Sequence, residues 1–151
     1  MRVLLQRVCH AQVTVDGTIV GRIDQGLVAL VGVHGSDTLV ETHFCADKCA
    51  QVRIFADSSG RFDRSVLDVG GQILAISQFT LYGDCRKGRR PFFGEAADPV
   101  LAEPLYEAFI ARLQKVHSLT VARGVFGAHM ALEMLNDGPV TLMIDSPGKS
   151  I

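Results

Sequence analysis

The chain has 151 residues, 48% hydrophobic and 21% charged, with a formal net charge of −1. That is enough chain for one domain with a real core and too apolar a composition for disorder, so we expect a single domain over residues 1–151. No apolar run approaches the roughly eighteen residues of a membrane span, and the near-neutral charge excludes nucleic-acid binding by bulk electrostatics, leaving only a local patch for any RNA contact.

Gln6 and Arg7 interrupt the opening apolar residues too early for a signal-peptide core, which predicts a cytoplasmic protein without membrane contact. Val3 to Val8 reads as a strand. Val13 to Val15 and Thr18 to Val20 flank Asp16-Gly17, a hairpin signal, because a type I′ turn needs positive φ at both central positions. Leu27 to Val33 is continuously apolar and predicts a central strand buried on both faces. Ser36 or Asp37 is placed to cap a helix reaching about Arg53, with Thr42, Cys45, Ala46, Cys49 and Val52 on its inner stripe. Turns are expected at Asp57 to Gly60 and at Gly70-Gly71, with strands over Ser65–Val69 and Gln72–Leu81.

A second helix is expected over Glu103 to Val116, with Leu105, Phe109, Leu113 and Val116 inward. Pro104 belongs in its first turn, since a proline deeper in a helix costs about 3 kcal/mol. Met130–Leu135 and Val140–Asp145 read as strands joined across Asn136 to Pro139, and Ser146 to Ile151 as a frayed tail. The fold class is α/β: mixed, mostly antiparallel β-sheets with two main helices, stacked as three layers, α/β/β.

The four cysteines form no CxxC pair and fit free thiols in a reducing compartment; we expect no metal and no cofactor. Ser77-Gln78-Phe79-Thr80-Leu81 ends an apolar strand in hydroxyls and an amide, which suits either an active-site edge or a strand emerging into solvent. Asn136 to Thr141 reads first as a hairpin turn, although a proline after glycine would rigidify the chain and leave the Gly138 carbonyl free to face a ligand. Arg86-Lys87-Gly88-Arg89-Arg90 carries four positive charges in five residues, either a solvated surface or a phosphate-binding patch. Cys85 beside it raises a thiol-hydrolase alternative, and His129 is either a general base or a polar residue at a strand edge.

SQFTL at 77–81 with NDGPVT at 136–141 resembles the D-aminoacyl-tRNA deacylase family of the bacterial and eukaryotic type. The likeness extends through Leu5 to Val8, Gly70-Gly71, Lys87-Gly88, Arg90-Pro91 and Gly124 to Ala128. It implies hydrolysis of the ester of D-aminoacyl-tRNA, with glycyl-tRNA as a further substrate, by a homodimer with a cross-subunit site. Gly138-Pro139 matches the family's Gly-cisPro element, whose carbonyl would hold the substrate's α-ammonium group and whose wall would exclude L side chains. Ser77, Gln78, Phe79 and Thr80 match the catalytic strand, where main-chain N–H groups, notably that of Phe79, would polarise the ester carbonyl. No His/Asp pair stands beside Thr80, so we assign it to positioning, the resemblance implying help from the tRNA's terminal 2′-hydroxyl. Arg86, Lys87, Arg89 and Arg90 are expected to meet the tRNA. Phe62-Asp63, Phe92 and His129 depart from the family pattern. The competing class is a non-catalytic nucleic-acid-binding module; its weakness is the lack of aromatics interleaved with the basic run.

Overall fold

A computed structural model describes residues 1–148. Strand β1 (Arg2–Val15) turns at Asp16-Gly17 into β2 (Thr18–Ile23), and φ is +48° at Asp16 and +78° at Gly17, as the type I′ turn requires. β1 is one strand where the sequence pattern indicates two. The exposed Cys9-His10 breaks the alternation but not the extended backbone, because both edges are paired: Arg2–Val8 with β3 (Gly26–Gly32), Ala11–Val15 with β2, and nearly the whole length with β8 (Ala131–Asp145). The register shifts between Val8 and Ala11, so Ala11 and Val13 return to the interior that Val8 enters, despite opposite parity.

The strand expected over Leu27 to Val33 does sit centrally, although it ends at Gly32 and Leu30 is only half-buried. β3 pairs antiparallel with β1 and parallel with β6 (Gln72–Ser77), which pairs parallel with β7 (Val121–Arg123). Helices α1 (Leu39–Gln51) and α2 (Pro99–Lys115) cover one face, packing residues such as Cys45 and Phe109 over Val3, Leu5, Leu27 and Ile73. The opposite face buries Val8, Ala11, Val13, Ile23, Val28 and Leu74 beneath the far halves of β1 and β8 and all of β2. The second β layer is thus the same sheet curled back on itself. Its closure shows at Gly21, where a Cβ would lie 2.6 Å from the Arg123 carbonyl oxygen of β7. A two-stranded ribbon, β4 (Phe55–Ala56) with β5 (Phe62–Arg64), stands apart. Among the described residues no helix is long and apolar enough to cross a membrane.

Several local expectations are corrected. Helix α1 is capped by Thr38, not Ser36 or Asp37: Thr38 Oγ1 accepts from the Val40 N–H and Glu41 closes the capping box, while Val52 has left the helix as its C-cap. Asp37 is instead buried against the Met1 α-ammonium, 2.6 Å away. Helix α2 starts at Pro99, and Pro104 lies inside it; the carbonyl it leaves unpaired belongs to Val100, which is 89% exposed and available to water. Ser65 to Val69 is a turn, because the Asp68 carboxylate takes both the Ser65 N–H and hydroxyl. The strand expected to reach Leu81 ends at Ser77. Residues 131–145 form one strand rather than a hairpin, and β7 was not anticipated. Of the expected frayed tail, Ser146 is buried, its hydroxyl accepting from the Met1 α-ammonium at 2.8 Å; residues 149–151 lie outside the described residues.

All four cysteines are free, and burial pushes the Cys45 thiol up to about 12 and Cys49 well above its usual range, so both are neutral packing groups at physiological pH. His117, partnerless in sequence, shares the Asp47 carboxylate with Arg112 at 2.7 and 2.9 Å, tying α1 to α2. Hydrogen bonds from Arg112 chiefly, and from His117, hold Asp47 down to about 2. A lowered carboxylate contributes stability that is complete above the ordinary value near 3.8 and is lost as pH falls through the folded one. Asp47→Asn should therefore cost about 1 kcal/mol near neutrality, after solvent screening. Thermal melts should show the difference from the unmodified chain shrinking from pH 5 towards about 2.

Candidate active site

β6 ends where the Gln78 N–H makes the last link to β3, donating to the Val31 carbonyl at 2.7 Å. The backbone then tightens into one 3₁₀ turn, Phe79–Tyr82. Gly32 makes room for it: a Cβ there would lie 3.1 Å from the Gln78 carbonyl oxygen and 3.2 Å from Leu81 Cβ. Tyr82 is buried beneath the turn, its ring edge-on to His34 at 5.4 Å, while Phe79 and Thr80 are left exposed. The Gln78 side-chain amide donates to Thr80 Oγ1. As the first residue of the turn, Phe79 has an N–H with no intrahelical acceptor.

Ser77, Gln78 and Phe79 rim a cavity of about 510 Å³ with His129. Its walls are apolar, drawn from β3, from Tyr106 of α2 and from Phe126 to Met130. The Tyr106 hydroxyl donates to the Ala75 carbonyl of β6 at 2.8 Å, and burial pushes this phenol up to about 12, so it stays a neutral donor. The Arg123 guanidinium, paired with Glu107, lies 5.7 Å over the same ring. Sequence reasoning quoted Gly124 to Ala128 only as part of the resemblance and missed both this wall and Tyr106. No local pattern sets them apart: Tyr106 lies in the apolar stripe of α2, and β7 is three residues long with a single β-branched residue, Val121.

Gly138 and Pro139 lie elsewhere. β8 pairs Asn136 with Val8 and Thr141 with Gln6, so five steps of β8 oppose two of β1 and the surplus is pushed out of the sheet. Asn136 laces the base of this protrusion, donating to the Arg7 carbonyl at 2.9 Å and the Val140 carbonyl at 3.3 Å. Gly138 has φ +122° and its peptide bond to Pro139 is cis; both residues are exposed. Arg7, another residue quoted only for the resemblance, braces the protrusion from below. Its Nη1 donates to the Ile54 carbonyl at 2.6 Å, its guanidinium stacks over Phe55 and Phe62, and its Nε lies 3.1 Å from Asp137 as an ion pair without hydrogen-bond alignment. In strand spacings, the protrusion and the 77–80 segment are on the order of 20 Å apart within the chain, and the cavity of Ser77 is not lined by Gly138 or Pro139.

The basic run forms the tip of a small hairpin closed by Asp84 and Phe92, whose N–H groups and carbonyls exchange bonds at 2.7 and 2.9 Å. Arg86 folds back onto Asp84 and holds that carboxyl down to about 2. Lys87, Arg89 and Arg90 are exposed. Cys85 borders a different hollow, beside Arg2 and Tyr82, and does not line the cavity of Ser77. Among the described residues no group of three or more His, Cys, Asp or Glu is arranged to hold a metal ion.

Comparison with known proteins bears on these features together. The family model described as D-Tyr-tRNA(Tyr) deacylase matches residues 4–145. The chain is 58% identical over 150 residues to the D-aminoacyl-tRNA deacylase of Geobacillus sp. (strain WCH70), covering 99% of this chain and 98% of that one. It is 58% identical over 146 residues to the protein of that name from Brevibacillus brevis, covering 97% and 100%. Among solved structures it resembles a c-Myc DNA Unwinding Element Binding Protein, with TM-score 0.91, 38% identity and coverage of 98% and 100%. A probable eukaryotic D-amino acid tRNA deacylase shares the fold at TM-score 0.85 and 18% identity over 95% and 98% of the two chains.

Proposed function

Because this chain belongs to the D-Tyr-tRNA(Tyr) deacylase family, we propose that it completes its active site only as a pair of copies, each lending Gly138-Pro139 to the other's 77–80 turn. The reaction is hydrolysis of the ester between a D-amino acid and tRNA. Water adds to the carbonyl carbon, the bond to the ribose oxygen breaks, and that oxygen leaves with a proton, giving free D-amino acid and tRNA. The observation that carries the paired site is the separation of the two segments: Phe79 and Thr80 are exposed, as are Gly138 and Pro139, and among the described residues no pairing within one chain brings them together.

In this reading the Gly138 carbonyl accepts from the α-ammonium group, which every substrate has, and the protrusion closes the side on which an L side chain would project. Handedness is read and the side chain is not; glycine, with nothing to exclude, also enters. The Phe79 N–H points its unused hydrogen at the developing oxyanion, with Ser77 and Gln78 beside it. Thr80 positions: its hydroxyl is engaged by Gln78, and no imidazole or carboxylate is hydrogen-bonded to it among the described residues. A terminal ribose hydroxyl of the tRNA assists instead. Lys87, Arg89 and Arg90, with Arg86 behind them, face the tRNA phosphates, and the cytoplasm is where such a substrate is met. One domain spans residues 1–151.

The test is release of amino acid from D- and L-aminoacyl-tRNA in buffer, with mass measured by light scattering. We expect strong D preference and a particle of two 16.3 kDa chains. Thr80→Ala should lose less than about tenfold in kcat, whereas loss of a true nucleophile would cost several orders of magnitude. A fully active monomer would refute the paired site. The binding-module alternative draws on the name of one structural neighbour; it predicts tRNA binding without any release.

A further inference from the structure

A further hollow opens at the neck of the cationic hairpin, about 620 Å³, lined by Asp84, Arg86, Lys87 and Phe92. Phe92 is 69% exposed, the most exposed ring of the chain's described phenylalanines and one with no role in the core. Its backbone is pinned to Asp84 at the neck of the cationic hairpin. One side of the ring is covered by Gly94: ring atoms Cε1 and Cζ lie 2.4 and 2.3 Å from where a Cβ there would sit, so only glycine leaves the ring its place. Phe93 turns the other way, meeting Phe79 edge-on at 5.1 Å and packing on Gly83. The hairpin is thereby keyed to the turn that carries Phe79 and Thr80. Lys87, Arg89 and Arg90 make no ion pair among the described residues, whereas Arg86 is matched by Asp84.

An open aromatic face among unmatched cations suits an unpaired nucleotide, whose base stacks on the ring while its phosphate meets the positive charge. A helical stem, with its bases already stacked on each other, has no use for the ring. Resting on the reading above, in which the ester hangs from the terminal ribose of the tRNA, we propose that Phe92 is the stacking platform for the base of an unpaired nucleotide preceding the terminal one, with Lys87, Arg89 and Arg90 on the adjoining phosphates. The basic run is then no general electrostatic patch but one wall of a built subsite for the single-stranded end.

Phe92→Leu keeps apolar bulk and loses the flat face; Phe92→Trp keeps the face. Phe92→Leu should raise KM for D-aminoacyl-tRNA about tenfold, in the range of one stacked base, with kcat unchanged. It should leave hydrolysis of the D-aminoacyl ester of the terminal nucleoside alone untouched, and Phe92→Trp should behave like the unmodified enzyme on both. In equilibrium binding, uncharged tRNA should outcompete tRNA trimmed of its unpaired 3′ nucleotides, and Phe92→Leu should erase that difference. Equal losses on both esters, no loss on tRNA, or a change in oligomeric mass, which would make the ring a contact between copies, each overturns the proposal. The binding arm needs no hydrolysis, so failure of the stacking site and failure of the hydrolase reading are told apart.

Discussion

Gly138→Ala is expected to lower kcat/KM for D-aminoacyl-tRNA by about a hundredfold or more in a chain that still folds. At φ +122° the backbone is where side chains rarely follow, and an added Cβ would meet Val140 Cγ2 at 2.8 Å and the Val140 nitrogen at 3.0 Å. Holding alanine there costs about 1–3 kcal/mol, which the protrusion relieves by moving. A shift of about 1 Å in a group that orients substrate is worth roughly 10² in rate. The fold survives because the protrusion is exposed and its base is tied by Asn136, not by Gly138. Kinetics with both enantiomers, alongside circular dichroism, provide the check; undiminished activity with intact D preference would remove the Gly138 carbonyl from the mechanism.

The largest loss of stability should come from Asp37→Ala. Asp37 is buried, one carboxylate oxygen 2.6 Å from the Met1 α-ammonium and the other accepting from the His34 N–H at 2.6 Å. Removing one partner of a buried pair strands the other charge, which costs about 3–5 kcal/mol, a large part of the 5–15 kcal/mol typical of a domain. Asp37→Asn should lose less, since its amide oxygen can still accept from His34. Urea midpoints at neutral pH measure both, and a change below about 1 kcal/mol for Asp37→Ala would mean that the ammonium finds water. The activity that remains below the melting temperature should be normal, since Asp37 does not line the cavity of Ser77.

What could be read from the sequence was what local chemistry dictates. Asp16-Gly17 announces its turn because few residues accept positive φ, and Leu27 to Val33 announces a central strand because a strand covered on both faces is apolar throughout. Two of the misreadings share one cause, a distant partner outweighing a local signal. Asp37 looks like a helix cap but is claimed by an ammonium group thirty-six positions away. Asn136 to Pro139 looks like a hairpin turn, yet β1 continues alongside and holds both flanks in one strand. At the site, the 77–80 and 138–139 segments carried enough pattern to be singled out. The cavity wall from Tyr106 and Phe126 to Met130 carried none, since apolar residues that line a hollow are written like those that fill a core.

The pairing of β1 with β8 has a consequence for how the protein is made. The first strand of the chain lies against the last, and the Ser146 N–H closes onto the Met1 carbonyl at 3.0 Å. During synthesis, β1 leaves the ribosome more than a hundred residues ahead of its longest partner, so for most of translation one edge of a 14-residue strand is unpaired. The hairpin with β2 and the contacts with β3 can form early, but the curled layer cannot close until β8 emerges. Pairings of such sequence separation fold slowly, and the waiting edge is a template for other chains. The exposed Cys9-His10 step and the register shift around it, at the middle of β1, break up the very stretch that would otherwise offer a long apolar edge to a neighbouring nascent chain.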